Sequence, residues 1–173
     1  MEPPIAFELV ATNDIAPIEK CAYLLELDSV YGLAPATIVQ TKRALTLNGY
    51  PVRLTQQHDL ISVDMSDVDV VVKCTGKAND PNFASAQLRS GAKRVLILGP
   101  SEHADVMVVL GANDNVLQGQ RIISNASCRT NALAPLLCVL DDSFMVLAGH
   151  MTTIHCDTGS QPTIDAPHGA TLE

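Results

Sequence analysis

The segment with the most chemistry in this chain is Ser124-Asn125-Ala126-Ser127-Cys128-Arg129-Thr130-Asn131, which runs straight into an apolar helical pattern. A cysteine in the first turn of a helix feels the positive end of the helix dipole. That favours the thiolate, which is the nucleophilic form. Downstream, Met151-Thr152-Thr153-Ile154-His155 reads as a strand closed by a histidine. A histidine at a strand end, facing a helix-start cysteine, suits a thiolate partner and general base. A plainer reading stays open beside this one, since most cysteines act as small hydrophobes and most single histidines are structural.

The remaining cysteines carry structural readings. Cys21 sits on the apolar face of a helical pattern and Cys138 lies inside a Leu-rich one, while Cys74 follows a valine run and Cys156 follows His155. Five cysteines make an odd number, and no Cys-x-x-Cys pair occurs. This pattern fits reduced thiols in a cytoplasmic setting better than a disulfide scaffold or a zinc site. His58, His103, His150 and His168 show no metal-ligand spacing, so no metal site is expected.

Positioning such a pair takes a scaffold, and the hydrophobic pattern describes one. Ile5 to Ala11, Val68 to Val72, Val95 to Leu98, Ile122-Ile123 and Val146 to Ile154 read as strands. Valine runs without alternation suggest strands covered on both faces, as in a parallel sheet. Helices are expected over Pro17 to Leu27, Pro81 to Ser90 and residues 130 to 140. Between Ala44 and Leu54, alternating apolar residues flank Asn48-Gly49, which predicts an antiparallel hairpin with a type I′ turn. The class is therefore α/β.

Composition narrows the function. The chain has 173 residues, 47% hydrophobic and 17% charged, which suits a packed core. Its 11 Lys+Arg against 19 Asp+Glu give a formal charge of -8, which argues against nucleic acid or an anionic membrane surface as partner. Aromatics are 3% and Trp is absent, so stacking platforms for bases are not expected. No apolar run approaches the roughly 20 residues of a membrane span. The start Met1-Glu2-Pro3-Pro4 does not read as a secretory signal.

Open parallel sheets bind nucleotides at the carboxyl ends of their strands. Here Gly-x-Gly-x-x-Gly and the P-loop pattern are both absent. The first strand ends in Asn13-Asp14, and an acidic residue at such a place either holds a ribose hydroxyl of NAD or caps a turn.

Taken together, these stretches resemble a known family. Ser127-Cys128-Arg129-Thr130-Asn131, within the run from Ile122, closely resembles the active-site signature of phosphorylating glyceraldehyde-3-phosphate dehydrogenases. Met151 to Thr163 resembles that family's base-bearing strand and loop. Ala11 to Asp14, Tyr23 to Gly32, Val68 to Gly76 and Gly91 to Arg94 agree in order, so the resemblance runs from about Phe7 to His168.

The resemblance implies an NAD-dependent oxidation of an aldehyde phosphate to an acyl phosphate. Cys128 would carry the thiohemiacetal and then the thioester, with His155 as base and inorganic phosphate as second substrate. Ser127, Arg129, Thr158 and Ser160 would meet phosphate groups. Asn13, Asp14, Thr75 and Gly76 would line the NAD site, and Asp14 favours NAD over NADP because a carboxylate repels a 2′-phosphate. The implied domains are a partial NAD-binding domain over 1–127 and the start of a catalytic domain over 128–173.

Departures accompany the resemblance. Arg129 stands where Thr is usual, Lys73 where an acidic or neutral residue is usual, Leu98-Gly99 replaces Ser-Ala, and Gln56 to Asp67 lacks an Asp-Pro element. Against the family pattern, the first strand with its glycine loop and most of the catalytic domain are absent. The expectation is an incomplete Rossmann-like doubly wound sheet with weak NAD binding and impaired activity. Its two exposed strands, Ile5–Ala11 and Val68–Val72, would then pair directly, take a strand from another chain or a second copy, or fold poorly. The alternatives are a non-catalytic binding or assembly module, an erythrose-4-phosphate dehydrogenase, and a cofactor-free Cys–His hydrolase or acyl-transfer enzyme.

Overall fold

The computed structural model describes residues 7–41, 44–58, 63–75 and 80–156. The chain divides into two compact units, one of Met1–His58 with Cys156–Glu173 and one of Asp59–His155.

In the first unit, strand β1 (Ala11–Asn13) leads through Pro17 into helix α1 (Ile18–Glu26). Glu19 lies in the first helical turn, where a carboxylate is favoured by the dipole. A short antiparallel ribbon follows, β2 (Leu27–Asp28) with β3 (Gly32–Leu33), its turn held by the Asp28 carboxylate accepting from the amides of Val30 and Tyr31. Then come β4 (Ile38–Gln40), β5 (Leu45–Leu47) and β6 (Tyr50–Thr55). The sheet order is β1-β6-β5-β4, with β1 and β6 parallel and the rest antiparallel. The expected hairpin is present. Asn48 and Gly49 take φ of 51° and 83°, the positive pair that a type I′ turn needs. Ala22 of α1 packs on Leu45 and Val52, with Ile38 and Leu47 around them.

The second unit is built on parallel strands. They are β7 (Val70–Lys73), β8 (Arg94–Ile97), β9 (Val106–Met107) and β10 (Ile122–Ser124), in the order β7-β8-β10-β9. Helix α2 (Pro81–Arg89) connects β7 to β8. Asp80 caps it by accepting from the Asn82 amide, and Pro81 occupies its first position. Ala84 packs against Val95 and Ile97, with Val71, Phe83, Leu88 and Ile122 completing the core. After α2 the chain turns at Gly91, with φ of 109°. A Cβ there would lie 2.9 Å from the backbone of Ser66, so only glycine fits this close approach. Helix α3 (Cys128–Phe144) follows β10 and contains Pro135.

Several expectations are corrected by this architecture. The strand expected at Ile5 to Ala11 is β1, at Ala11–Asn13. Residues 7–10 form no strand, and Ile5 and Ala6 lie outside the described residues. The register explains the shift, because β1 pairs with Arg53–Thr55 at the carboxyl end of β6. The strand expected over Val146 to Ile154 is absent, and this stretch has no regular structure. A strand needs a neighbour for its backbone groups, and the described residues offer this stretch none. Leu147 and Ile154 are 98% and 95% exposed there. The third helix is longer than residues 130 to 140. The expected α/β, Rossmann-like fragment is present, its main strands lying in two four-stranded sheets with β1 and β7 each at the end of its own.

Candidate active site

The site lies in the second unit, where β10 hands over to α3. Ser124, the last residue of β10, is fully buried. Its hydroxyl donates to the Gly99 carbonyl at 2.7 Å and accepts from the Ala126 amide at 3.2 Å. The Asn125 amide donates to the Ile97 carbonyl, which continues the strand pairing past β10. Ala126 then adopts φ of 58°, the left-handed region, although it carries a Cβ and is buried. Ser127 returns to extended backbone and caps α3, its hydroxyl accepting from the Thr130 amide and sharing a hydrogen bond of 2.8 Å with the Thr130 hydroxyl.

This turn places Cys128 as the first residue of α3, exposed to solvent. Its Sγ lies 3.2 Å from Nε2 of His155. The hydrogen bond to His155 holds the thiol below its ordinary range. Desolvation opposes it, and the Arg129 backbone amide and the charges of His155 and Arg129 add to the lowering. Cys21 behaves in the opposite way: burial, and then the nearby Asp14 carboxylate, push its thiol up. The contrast separates a thiol set up to ionise from a structural one.

The structure therefore brings together Ser127, Cys128, Arg129 and His155 from the residues singled out in the sequence. Thr158, Ser160 and Gly76 lie outside the described residues. Thr75 follows the end of β7 and is exposed. Asn13 and Asp14 belong to the first unit, at the carboxyl end of β1. The Asn13 carboxamide is committed to the fold: it accepts from the Thr55 hydroxyl at 2.7 Å and the Gln57 amide at 2.9 Å, and donates to the Gln57 carbonyl at 3.0 Å. Asp14 is exposed, and its Oδ1 accepts from the Ala16 amide at 2.8 Å. A carboxylate has a second oxygen that can accept from a hydroxyl, so this acceptor fits a ribose diol. Among the described residues, no group of three or more His, Cys, Asp or Glu is arranged to hold a metal. No helix among them is long and apolar enough to cross a membrane.

Asn131 is the site residue that sequence reasoning passed over. Its side-chain amide donates to the Asn125 carbonyl at 2.6 Å, the Asn125 Oδ1 at 3.1 Å and the Ser127 carbonyl at 3.0 Å. An asparagine inside a helix start is an ordinary residue type, and only the turn's path reveals what it holds. The signal available was the density of short polar residues from Ser124 to Asn131.

Two family models match parts of the chain. Residues 2–81 match a family model described as Glyceraldehyde 3-phosphate dehydrogenase, NAD binding domain. Residues 127–172 match one described as Glyceraldehyde 3-phosphate dehydrogenase, C-terminal domain. The chain is 40% identical over 162 residues to a cytosolic glyceraldehyde-3-phosphate dehydrogenase of Trypanosoma brucei brucei, covering 92% of this chain and 49% of that protein. It is 41% identical over 162 residues to a glyceraldehyde-3-phosphate dehydrogenase of Serratia marcescens, covering 92% and 55%. The chain spans about half the length of the curated relatives it matches.

Proposed function

Because the chain belongs to the glyceraldehyde-3-phosphate dehydrogenase family, we propose that it carries the nucleophile and base of an oxidoreductase that converts an aldehyde phosphate to an acyl phosphate with NAD. The observation that carries this reading is the 3.2 Å approach of Cys128 Sγ to His155 Nε2 at the start of α3.

The chemistry assigned to these residues follows from their placement. His155 takes the thiol proton at Nε2 and leaves a thiolate at Cys128. The thiolate attacks the aldehyde carbon, the oxyanion so formed takes the proton back from Nε2 to give a thiohemiacetal, and the freed nitrogen would accept that proton again as the carbon loses a hydride and becomes the thioester. NAD, when bound, supplies the hydride acceptor. Inorganic phosphate opens the thioester on Cys128, which restores the thiolate. Ser127, Arg129, Thr158 and Ser160 make up the proposed phosphate contacts. The Ser127 hydroxyl is engaged as the helix cap, so the exposed Arg129 guanidinium is the stronger anion contact beside the thiol.

On the cofactor side, Asp14 holds the adenosine ribose through its exposed carboxylate, and Thr75 and Gly76 line the groove. Asn13 fixes the end of β1 beside Asp14. In this reading residues 1–127 serve the cofactor and 128–173 the chemistry, a division supported by the ranges of the two family matches. The name of the trypanosome relative supports a cytoplasmic setting. The end position of β7, with half-exposed Val70 and Val72, supports pairing with a second chain.

The test is NADH formation from glyceraldehyde 3-phosphate, inorganic phosphate and saturating NAD. The expected result is a signal abolished in Cys128→Ser. No NADH, with cofactor-free ester hydrolysis that depends on Cys128, would replace this reading with a Cys–His hydrolase.

A further inference from the structure

The handover from β10 to α3 spends only three residues, Asn125 to Ser127, on reversing the chain. The middle one, Ala126, sits at φ of 58°. A side chain with a Cβ disfavours that region, and glycine would adopt it freely. Something must therefore hold the turn in place. Ser124 supplies one restraint, its hydroxyl accepting from the Ala126 amide.

The other restraint comes from across the turn. The Asn131 side-chain amide reaches the carbonyls of both Asn125 and Ser127, the residues on either side of Ala126. One planar amide thus ties the entry and the exit of the turn to the first part of α3. Asn131 is held in turn by its own backbone amide, which donates to the Ser127 carbonyl at 2.9 Å. Cys128 leaves the turn one residue after Ser127, so a rotation at Ala126 would swing its Sγ. A hydrogen bond of 3.2 Å to His155 Nε2 does not survive such a displacement.

We propose that Asn131 is a positioning residue for the Cys128 nucleophile, its amide clasping the left-handed turn at Ala126 so that Cys128 Sγ stays within reach of His155 Nε2. This rests on the reading of Cys128 as the nucleophile. Asn131 acts through the backbone of the turn and is not itself a catalytic residue.

The experiment needs no cofactor or turnover. The rate of iodoacetamide alkylation at Cys128 is followed by mass spectrometry against pH in the full chain. In Asn131→Ala the pH midpoint rises towards that of a free thiol, and the rate near neutrality falls about three- to tenfold. Ala126→Gly in the Asn131→Ala background restores most of the rate, because glycine holds the left-handed turn without a clasp. Asn131→Leu, close in size and without a donor, repeats the loss and serves if the alanine variant fails the far-UV circular dichroism check for folding. An unchanged midpoint in folded Asn131→Ala or Asn131→Leu overturns the clasp, and so does a double variant as slow as the single one. Should the unsubstituted chain alkylate no faster than free cysteine, the nucleophile reading falls and the clasp with it.

Discussion

Cys128 gains its character from two sources that differ in strength. The His155 hydrogen bond is the larger, and the Arg129 amide and charge add to it. Removing each separately should rank them. His155→Ala is expected to move the alkylation midpoint of Cys128 upward and to slow alkylation near pH 7 by about tenfold, on the basis that one pKa unit is tenfold in thiolate. Arg129→Thr is expected to move it in the same direction by less. Rates measured across pH on both variants check the order. A larger effect from Arg129 would mean that the thiolate is held chiefly by charge. At this scale the sequence was informative for residue type and uninformative for contact. The helix-start cysteine and His155 are visible as separate features 27 residues apart, and their 3.2 Å meeting is not.

At the scale of elements, the crossover from β7 through α2 to β8 carries a cost. Lys73, the last residue of β7, is only 3% exposed, and its Nζ has no hydrogen-bond partner among the described residues. It lies 4.3 Å from the centroid of the Phe83 ring on α2, a contact that offsets part of its desolvation. Burial lowers its basicity, and the nearby Asp80 carboxylate works against that shift. The folded state therefore binds this proton less tightly than the unfolded chain does. Stability should rise as pH climbs from the lowered folded value towards 10.5, with the full penalty present at neutral pH. Lys73→Met, which keeps the apolar bulk against Phe83, is expected to stabilise the fold by about 1 kcal/mol at neutral pH. The gain should shrink as pH approaches 10.5. Urea unfolding at neutral and alkaline pH measures both, and a loss of stability in Lys73→Met would show that the ammonium is more favourable than its surroundings imply.

At the scale of the whole molecule, the chain offers the exposed Cys128–His155 pair and the exposed Asp14 carboxylate but no Gly-x-Gly-x-x-Gly to cradle a pyrophosphate. Helix-start amides behind such a loop supply much of the grip on a dinucleotide. NAD is therefore expected to bind more weakly than the micromolar range. Isothermal titration that saturates at about micromolar NAD would show that other groups hold the phosphates. The sheets bear on the same point. Each unit has its own four-stranded sheet and its own small core, one around Ala22, Leu45 and Val52 and one around Ala84, Val95 and Ile97. Alternating and continuous apolar runs predicted most of these strands to within a residue or two. Val146 to Ile154 misled because hydrophobicity alone cannot say whether a neighbouring strand exists.

Sequence by itself determined the class of the fold, the Asn48-Gly49 hairpin, the helices and which cysteine and histidine to pair as candidates, Cys128 and His155. These are local properties, set by periodicity, turn chemistry and residue type, and each is written within a few neighbouring positions. Tertiary structure decided what depends on partners far along the chain. It divided the strands between two sheets, left residues 145–156 without regular structure, buried Lys73 against Phe83 and brought His155 to Cys128. It also gave Asn131 its place, because a clasp exists only once the turn that it closes has taken a left-handed path at Ala126.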